Sequence, residues 1–374
     1  MSLFDVYPLF DVTPEKAKDV YLYDTQGREY LDLYGGHAVI SIGHSHPVYV
    51  SALTNQLKKI GFYSNAVQNP LQTQLADRLE SLSGCTDYTL FMCSSGAEAN
   101  ENALKLASFH TNKATVIAFE NSFHGRTSAS VAATDNPKIV APINAQQQVR
   151  FLPLGNLELV EETLKNEPIC AIIIECIQGV GGLDESTTEF YKGLELLSNK
   201  YNTLLIADEV QSGFGRTGSF FAFQKHGLTP HIISMAKGMG NGFPVGGILI
   251  HPSIKASYGL LGTTFGGNHL ASTAALAVLR VLESEELMQN ARKISAYFVE
   301  KAKTVSQLKQ LKGRGLMLGL EFDFPVAKLR KKLLFDHFLF TGSSKNPNLI
   351  RILPPLTIQA KHIDLFFNAL KKEL

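Results

Sequence analysis

A chain of 374 residues, 45% of them hydrophobic, has room for about two domains and a substantial core without covalent staples. Its 35 basic and 34 acidic residues leave a net charge of +1, which excludes a surface field that gathers nucleic acid or anionic lipid. A pocket for a small molecule is the default expectation.

The N-terminal MSLFDVYPLF carries Asp5 where a secretion signal needs positive charge, and no apolar run nears the roughly 18 residues of a membrane span. Cys85, Cys93, Cys170 and Cys176 lack CxxC spacing and read as buried free thiols of a reducing, cytosolic compartment. His37, His44 and His46 precede a helix starting at Pro47 and show no metal-ligand spacing, so turn and capping roles are expected. Leu71, Leu75, Leu79 and Leu82 form a helical stripe that stops at Ser83 and Gly84.

From there the chain alternates short apolar runs with amphipathic helices. The runs are TLFMC, ATVIAF, CAIIIE, TLLIAD, HIISMA and GGILI, and one of the helices carries Phe190, Leu194, Leu197 and Tyr201. Strands apolar on both faces and separated by helices predict an α/β fold with a mostly parallel sheet covered on both sides. After about residue 260 the pattern changes. Helices near 271–282 and 291–303, a GLMLGLEF strand and a last helix with Ile363, Phe366, Phe367 and Leu370 predict a smaller α+β unit.

Ligands of an open parallel sheet bind beyond the carboxyl ends of its strands. Ser95 and Gly96 follow TLFMC and open a helix with Glu98 in capping-box register, a start suited to an anion such as phosphate. Taken alone, Ser95 reads first as a plain helix cap. Asp208 ends TLLIAD, where a carboxylate needs a cationic or hydrogen-bonding partner; on its own it is a cap or an ion-pair member. Lys237 ends the HIISMA run and precedes five glycines in ten residues; it is either a solvated loop lysine or a desolvated amine able to attack carbonyls. The three together match pyridoxal phosphate. The lysine joins the aldehyde, the helix start anchors the phosphate, and the carboxylate keeps the pyridine nitrogen protonated. A pyridinium–carboxylate pair at 4 Å and an effective dielectric near 20 is worth about 4 kcal/mol before desolvation.

LLIADEVQSGFGRTG followed by MAKGMGNGFPVGG, with YLDLYGGHAVISIGHSHP near the start and RILPPLTI near the end, resembles the class III pyridoxal-phosphate-dependent aminotransferases, most of all the acetylornithine (N-acylornithine) aminotransferases. The resemblance implies a fold-type I structure and a cytoplasmic homodimer with shared active sites. It also implies transfer of the terminal amino group of N-acetylornithine or N-succinylornithine to 2-oxoglutarate, in arginine biosynthesis. Position by position it gives Lys237 the Schiff-base role, Asp208 the contact to the pyridine nitrogen and Gln211 the ring hydroxyl. Val210 and Phe123 take the two ring faces, and Ser95, Gly96 and Ala97 the phosphate turn. Thr264 reaches the partner subunit's phosphate, and Arg126 and Arg351 bind substrate carboxylates. It also sets the expected organisation: an N-terminal segment at 1–44 packing with the small domain, a large cofactor-binding domain at 45–258 and a small domain at 259–374.

Arg351 lies in an otherwise apolar NLIRILPPL, where a buried guanidinium calls for a carboxylate partner. In many glutamate-using relatives that partner is a glutamate in EPIQGEGG; here the segment reads ECIQGVGG and Val180 takes its place. His124 carries no comparable argument and reads as structural. Alternatives within the class are 4-aminobutyrate, ornithine or diaminopelargonate aminotransferases, and outside it a lyase or aminomutase on the same cofactor. GMGNGFPVGG does not match the dinucleotide GxGxxG, which disfavours a dehydrogenase.

Overall fold

Six consecutive apolar residues cannot alternate between core and solvent, so the strand Ile169–Ile174 must lie inside a sheet covered on both faces, and all six of its residues are buried. A computed structural model describes the whole chain, residues 1–374. The strands Leu204–Asp208 and Ile232–Met235 are likewise buried at every position.

The main sheet has seven strands in the spatial order Thr89–Cys93, Gly246–Ile250, Ile232–Met235, Leu204–Asp208, Ile169–Ile174, Thr115–Phe119 and Val149–Leu152. The run from Ile232–Met235 to Val149–Leu152 is parallel throughout. Gly246–Ile250 runs antiparallel to both of its neighbours. Its first residue therefore lies at their carboxyl ends, with Gly246 opposite Cys93 and Gly247 opposite Met235. A side chain at Gly246 would stand 2.7 Å from the Ser95 carbonyl, so only glycine lets the strands close here.

Helix Gly96–Thr111 buries Ala99, Ala103 and Ala107, and small residues let it lie close on the sheet. The leucine stripe forms Pro70–Ser83, ended by Gly84 in the left-handed region (φ 68°). Helix His269–Ser284 is apolar nearly all round and packs on Pro47–Leu57 and Pro70–Ser83, a helix buried between neighbours.

Two smaller sheets complete the fold. Gln310–Arg314, Met317–Glu321 and Leu349–Ile352 form an antiparallel sheet whose last strand is wholly buried and carries Arg351. Pro14–Lys18, Tyr21–Asp24 and Glu29–Asp32 form a meander joined by Leu339–Phe340, so the start of the chain pairs with its last third. Cys93, Cys170 and Cys176 are buried free thiols, while Cys85, expected to be buried, is only half-buried. No helix is long and apolar enough to cross a membrane.

Candidate active site

A cavity of about 390 Å³ opens where the carboxyl ends of Thr89–Cys93, Leu204–Asp208 and Ile232–Met235 meet the start of Gly246–Ile250. It collects Ser95, Gly96, Ala97, Phe123, Arg126, Asp208, Val210, Gln211 and Lys237 into one wall, although they come from four separate segments of chain. Arg351 and Thr264 lie outside it. Arg351 is tied to Gly179, next in the chain to the cavity-lining Val180, and Thr264 sits on an exposed loop.

Asp208 is 5% exposed and held by three donors. Its Oδ2 accepts from His124 Nδ1 at 2.7 Å and from Asn100 Nδ2 at 2.8 Å, and its Oδ1 accepts from the Val210 N–H at 3.0 Å. A carboxylate offers about four lone pairs, so one remains for a further donor in the cavity. His124 is fully buried and, facing an acceptor-only group, carries its proton on Nδ1. Sequence pattern alone gives His124 a structural role and does not single out Asn100, yet both hold the central carboxylate.

Lys237 follows Ala236 into a single 3₁₀ turn with φ +45°, a left-handed conformation unusual for a side chain with a Cβ. Its amine has no hydrogen-bond or ion-pair partner in the chain. Burial lowers its pKa, with Arg351 adding to the effect and Asp208 and Glu175 opposing it. The turn is fixed from behind. Ser41 Oγ donates to the Gly238 carbonyl at 2.8 Å, and Asn241 Oδ1 accepts from the Ser41 and Ile42 amides at 2.8 and 3.0 Å. The result is an unpaired buried amine, held below the usual lysine range, on a rigid mount.

At the helix start, Ser95 Oγ accepts from the Glu98 amide at 3.2 Å, and Glu98 turns back so that its Oε2 accepts from the Ser94 amide at 2.8 Å. The capping box thus directs the Glu98 charge to the backbone rather than into the anion position. A Cβ at Gly96 would lie 2.5 Å from Val210 Cγ1, so the glycine keeps this wall open. These features fit pyridoxal phosphate: helix-start amides for a phosphate, a carboxylate with one acceptor position left, and an unpaired amine. Gln211 adds a buried Oε1 without a partner, as needed to meet a ring hydroxyl.

Arg351 is 3% exposed, and no carboxylate of the chain pairs with it, which leaves the expected carboxylate to come from a ligand. Its Nη1 donates to the Gly179 carbonyl at 2.7 Å and its Nε to the Ser343 carbonyl, while the guanidinium lies 5.8 Å from the Tyr34 ring centre. Neutral carbonyls take two of its five donors without cancelling the charge, so the cation stays available to a ligand. Arg330 also acts on Tyr34 and on Arg351 and likewise has no carboxylate partner. Arg126 is exposed, lines the cavity and is free of ion pairs. Glu175, another residue the sequence reading left without a role, lines the cavity and receives the Phe123 and Gly179 amides, each at 3.0 Å. A signal for it was present: it directly follows the wholly apolar strand Ile169–Ile174, the neighbour of Leu204–Asp208 in the sheet.

Residues 5–374 match the family model described as Aminotransferase class-III. The chain is 38% identical over 379 residues to the acetylornithine aminotransferase of Bacillus subtilis (strain 168), covering 100% of this chain and 97% of that protein. It is 40% identical over 385 residues to the acetylornithine aminotransferase of Aquifex aeolicus (strain VF5), covering 100% and 99%. Among solved structures, the ornithine aminotransferase from Toxoplasma gondii ME49 superposes with a TM-score of 0.91 at 26% identity, over 98% of this chain and 91% of that one. An S-selective transaminase from Arthrobacter sp. shares the fold with a TM-score of 0.91 at 24% identity, over 100% and 95%. The chain belongs to the class-III aminotransferases and is a pyridoxal-phosphate-dependent transferase of amino groups.

Proposed function

We propose that this enzyme moves the terminal amino group of N-acetylornithine to 2-oxoglutarate, giving the N-acyl-glutamate semialdehyde and glutamate, in arginine biosynthesis. The observation that carries the reading is the cavity itself, in which an unpaired lysine amine, a three-donor carboxylate and an open helix start share one wall. The names of the full-length relatives support the choice of amino donor.

Bound pyridoxal phosphate supplies an electron sink for the charge left when the substrate carbon gives up its proton. Each remaining role falls to a side chain. Asp208, steadied by His124 and Asn100, would use its last acceptor position to keep the ring nitrogen protonated. Val210 and Phe123 would cover the two ring faces, Gln211 would meet the ring hydroxyl, and the Ser95–Ala97 turn would hold the phosphate through its amides. Lys237 would offer its amine to the aldehyde and, once displaced, carry the proton between the two carbons that exchange it. Arg126 and Arg351 would hold substrate carboxylates and so fix which end of the substrate meets the lysine.

A second amino donor, N-succinylornithine, is favoured by one observation: Arg351 and Arg330 have no carboxylate partner, which suits a substrate bringing an additional carboxylate. We further propose a cytoplasmic homodimer in which Thr264 reaches the partner's phosphate. The exposed Leu57, Phe62, Tyr63, Val67 and, beside Thr264, Phe265 support an interface there, and the free thiols suit a reducing compartment. The division into 1–44, 45–258 and 259–374 is part of the same proposal.

The test is glutamate formation from 2-oxoglutarate with N-acetylornithine, N-succinylornithine, ornithine or 4-aminobutyrate as donor. An N-acylornithine is expected to exceed the others at least tenfold in kcat/KM. Preference for ornithine or 4-aminobutyrate would overturn the substrate reading.

A further inference from the structure

Glu175 is a buried carboxyl group, 7% exposed, with one backbone amide on each oxygen and no cation paired to it. Gly179 joins it to the carboxylate-binding arginine. The Gly179 N–H donates to Glu175 Oε1 at 3.0 Å and its carbonyl accepts from Arg351 Nη1 at 2.7 Å. A side chain at this joint would crowd the cavity wall, since a Cβ on Gly179 would stand 1.9 Å from Gln211 Oε1. Phe123, whose amide holds the other oxygen, ties the same carboxyl to the ring-stacking position.

The charged and titratable groups facing Glu175 come from four places: His124 after Thr115–Phe119, Asp208, Lys237 and Arg351. Burial pushes the carboxyl up to about 7, with Asp208 adding to the rise and His124 opposing it. An anion docking on Arg351 cancels the cation that favours an ionised Glu175 and adds a second negative charge nearby. With an amide already on each oxygen, becoming neutral is the response that keeps this geometry.

We propose that Glu175 is a positioning residue for the carboxylate end of the active site, seating Arg351 through Gly179 and taking up a proton when a substrate carboxylate docks on that arginine. The proposal rests on Arg351 binding carboxylates, as inferred above.

The test uses the cofactor-loaded enzyme and glutarate, a dicarboxylate with no keto group to react. Ligand binding that requires proton uptake weakens as pH rises above the free group's range, by up to about tenfold per pH unit. Calorimetric titration between pH 6 and 8.5 is expected to show that decline, with proton uptake read from two buffers of different ionisation enthalpy. Glu175→Gln, permanently neutral, is expected to bind with little pH dependence and no uptake. Equal slopes and equal uptake in wild type and Glu175→Gln overturn the proposal. Glu175→Asp keeps the charge but is one methylene short of Gly179, and is expected to retain the slope while raising KM for the 2-oxo acid several-fold with a smaller change in kcat; an unchanged KM overturns the seating of Arg351. Arg351→Gln is expected to lose glutarate binding, and undiminished binding there identifies the failure as that of the arginine assignment.

Discussion

Replacing His124 by Phe preserves ring volume while deleting the donor 2.7 Å from Asp208 Oδ2. Asp208 keeps Asn100 and the Val210 amide, so the carboxylate loses one of three donors. A hydrogen bond to a buried charge is worth about 1.5–3 kcal/mol net. At 1.4 kcal/mol per factor of ten, cofactor affinity should fall roughly 10- to 100-fold, because a carboxylate that has lost a donor is less firmly held in place to meet a positive ring. Titrating apoenzyme with pyridoxal phosphate and following the visible band measures this directly. Thermal unfolding of the apoenzyme separates a local effect from loss of the fold. A His124→Phe enzyme that binds cofactor within twofold of wild type and turns over normally would refute the reasoning that the histidine holds Asp208 in place.

Two further outcomes follow from buried groups outside the pocket. Arg216, 2% exposed, donates to the carbonyls of Ile40, Leu316 and Pro354 and so pins three distant segments; Arg216→Met should lower unfolding free energy by about 3 kcal/mol or more in denaturant titration, and a loss under 1 kcal/mol would contradict that role. Burial raises the Glu209 carboxyl to about 7 from an ordinary 4.5, so the folded protein holds a proton that the unfolded chain releases. That stability is full below about pH 4.5 and is lost as pH rises through 7, so Glu209→Gln should flatten this part of the stability–pH curve; an unchanged slope in denaturant midpoints from pH 5 to 8 would count against it.

The central strands were legible because residues buried on both faces leave an unbroken apolar run, as in Ile169–Ile174. The direction of Gly246–Ile250 was not, since a short run with four buried residues looks the same in either orientation. Lys237, Asp208 and the Ser95 turn were legible because each interrupts an apolar pattern at a strand end. His124 and Asn100 were not, because their function is fixed by which strand and helix lie beside Leu204–Asp208, a fact of topology rather than of local sequence. The neighbours of Arg351 were not legible for a related reason. Pattern shows that a guanidinium is buried, but not that the carbonyls of Gly179 and Ser343 converge on it.

The reversed strand has a bearing on synthesis. Gly246–Ile250 is the spacer between the strand leading to Ser95 and the strand leading to Lys237, yet it is the last of the seven to leave the ribosome. A nascent chain that has exposed the phosphate turn, the aspartate and even the lysine still lacks the piece that sets them side by side. Vitamin capture must therefore wait until translation has passed about residue 250, and fragments ending earlier should emerge colourless.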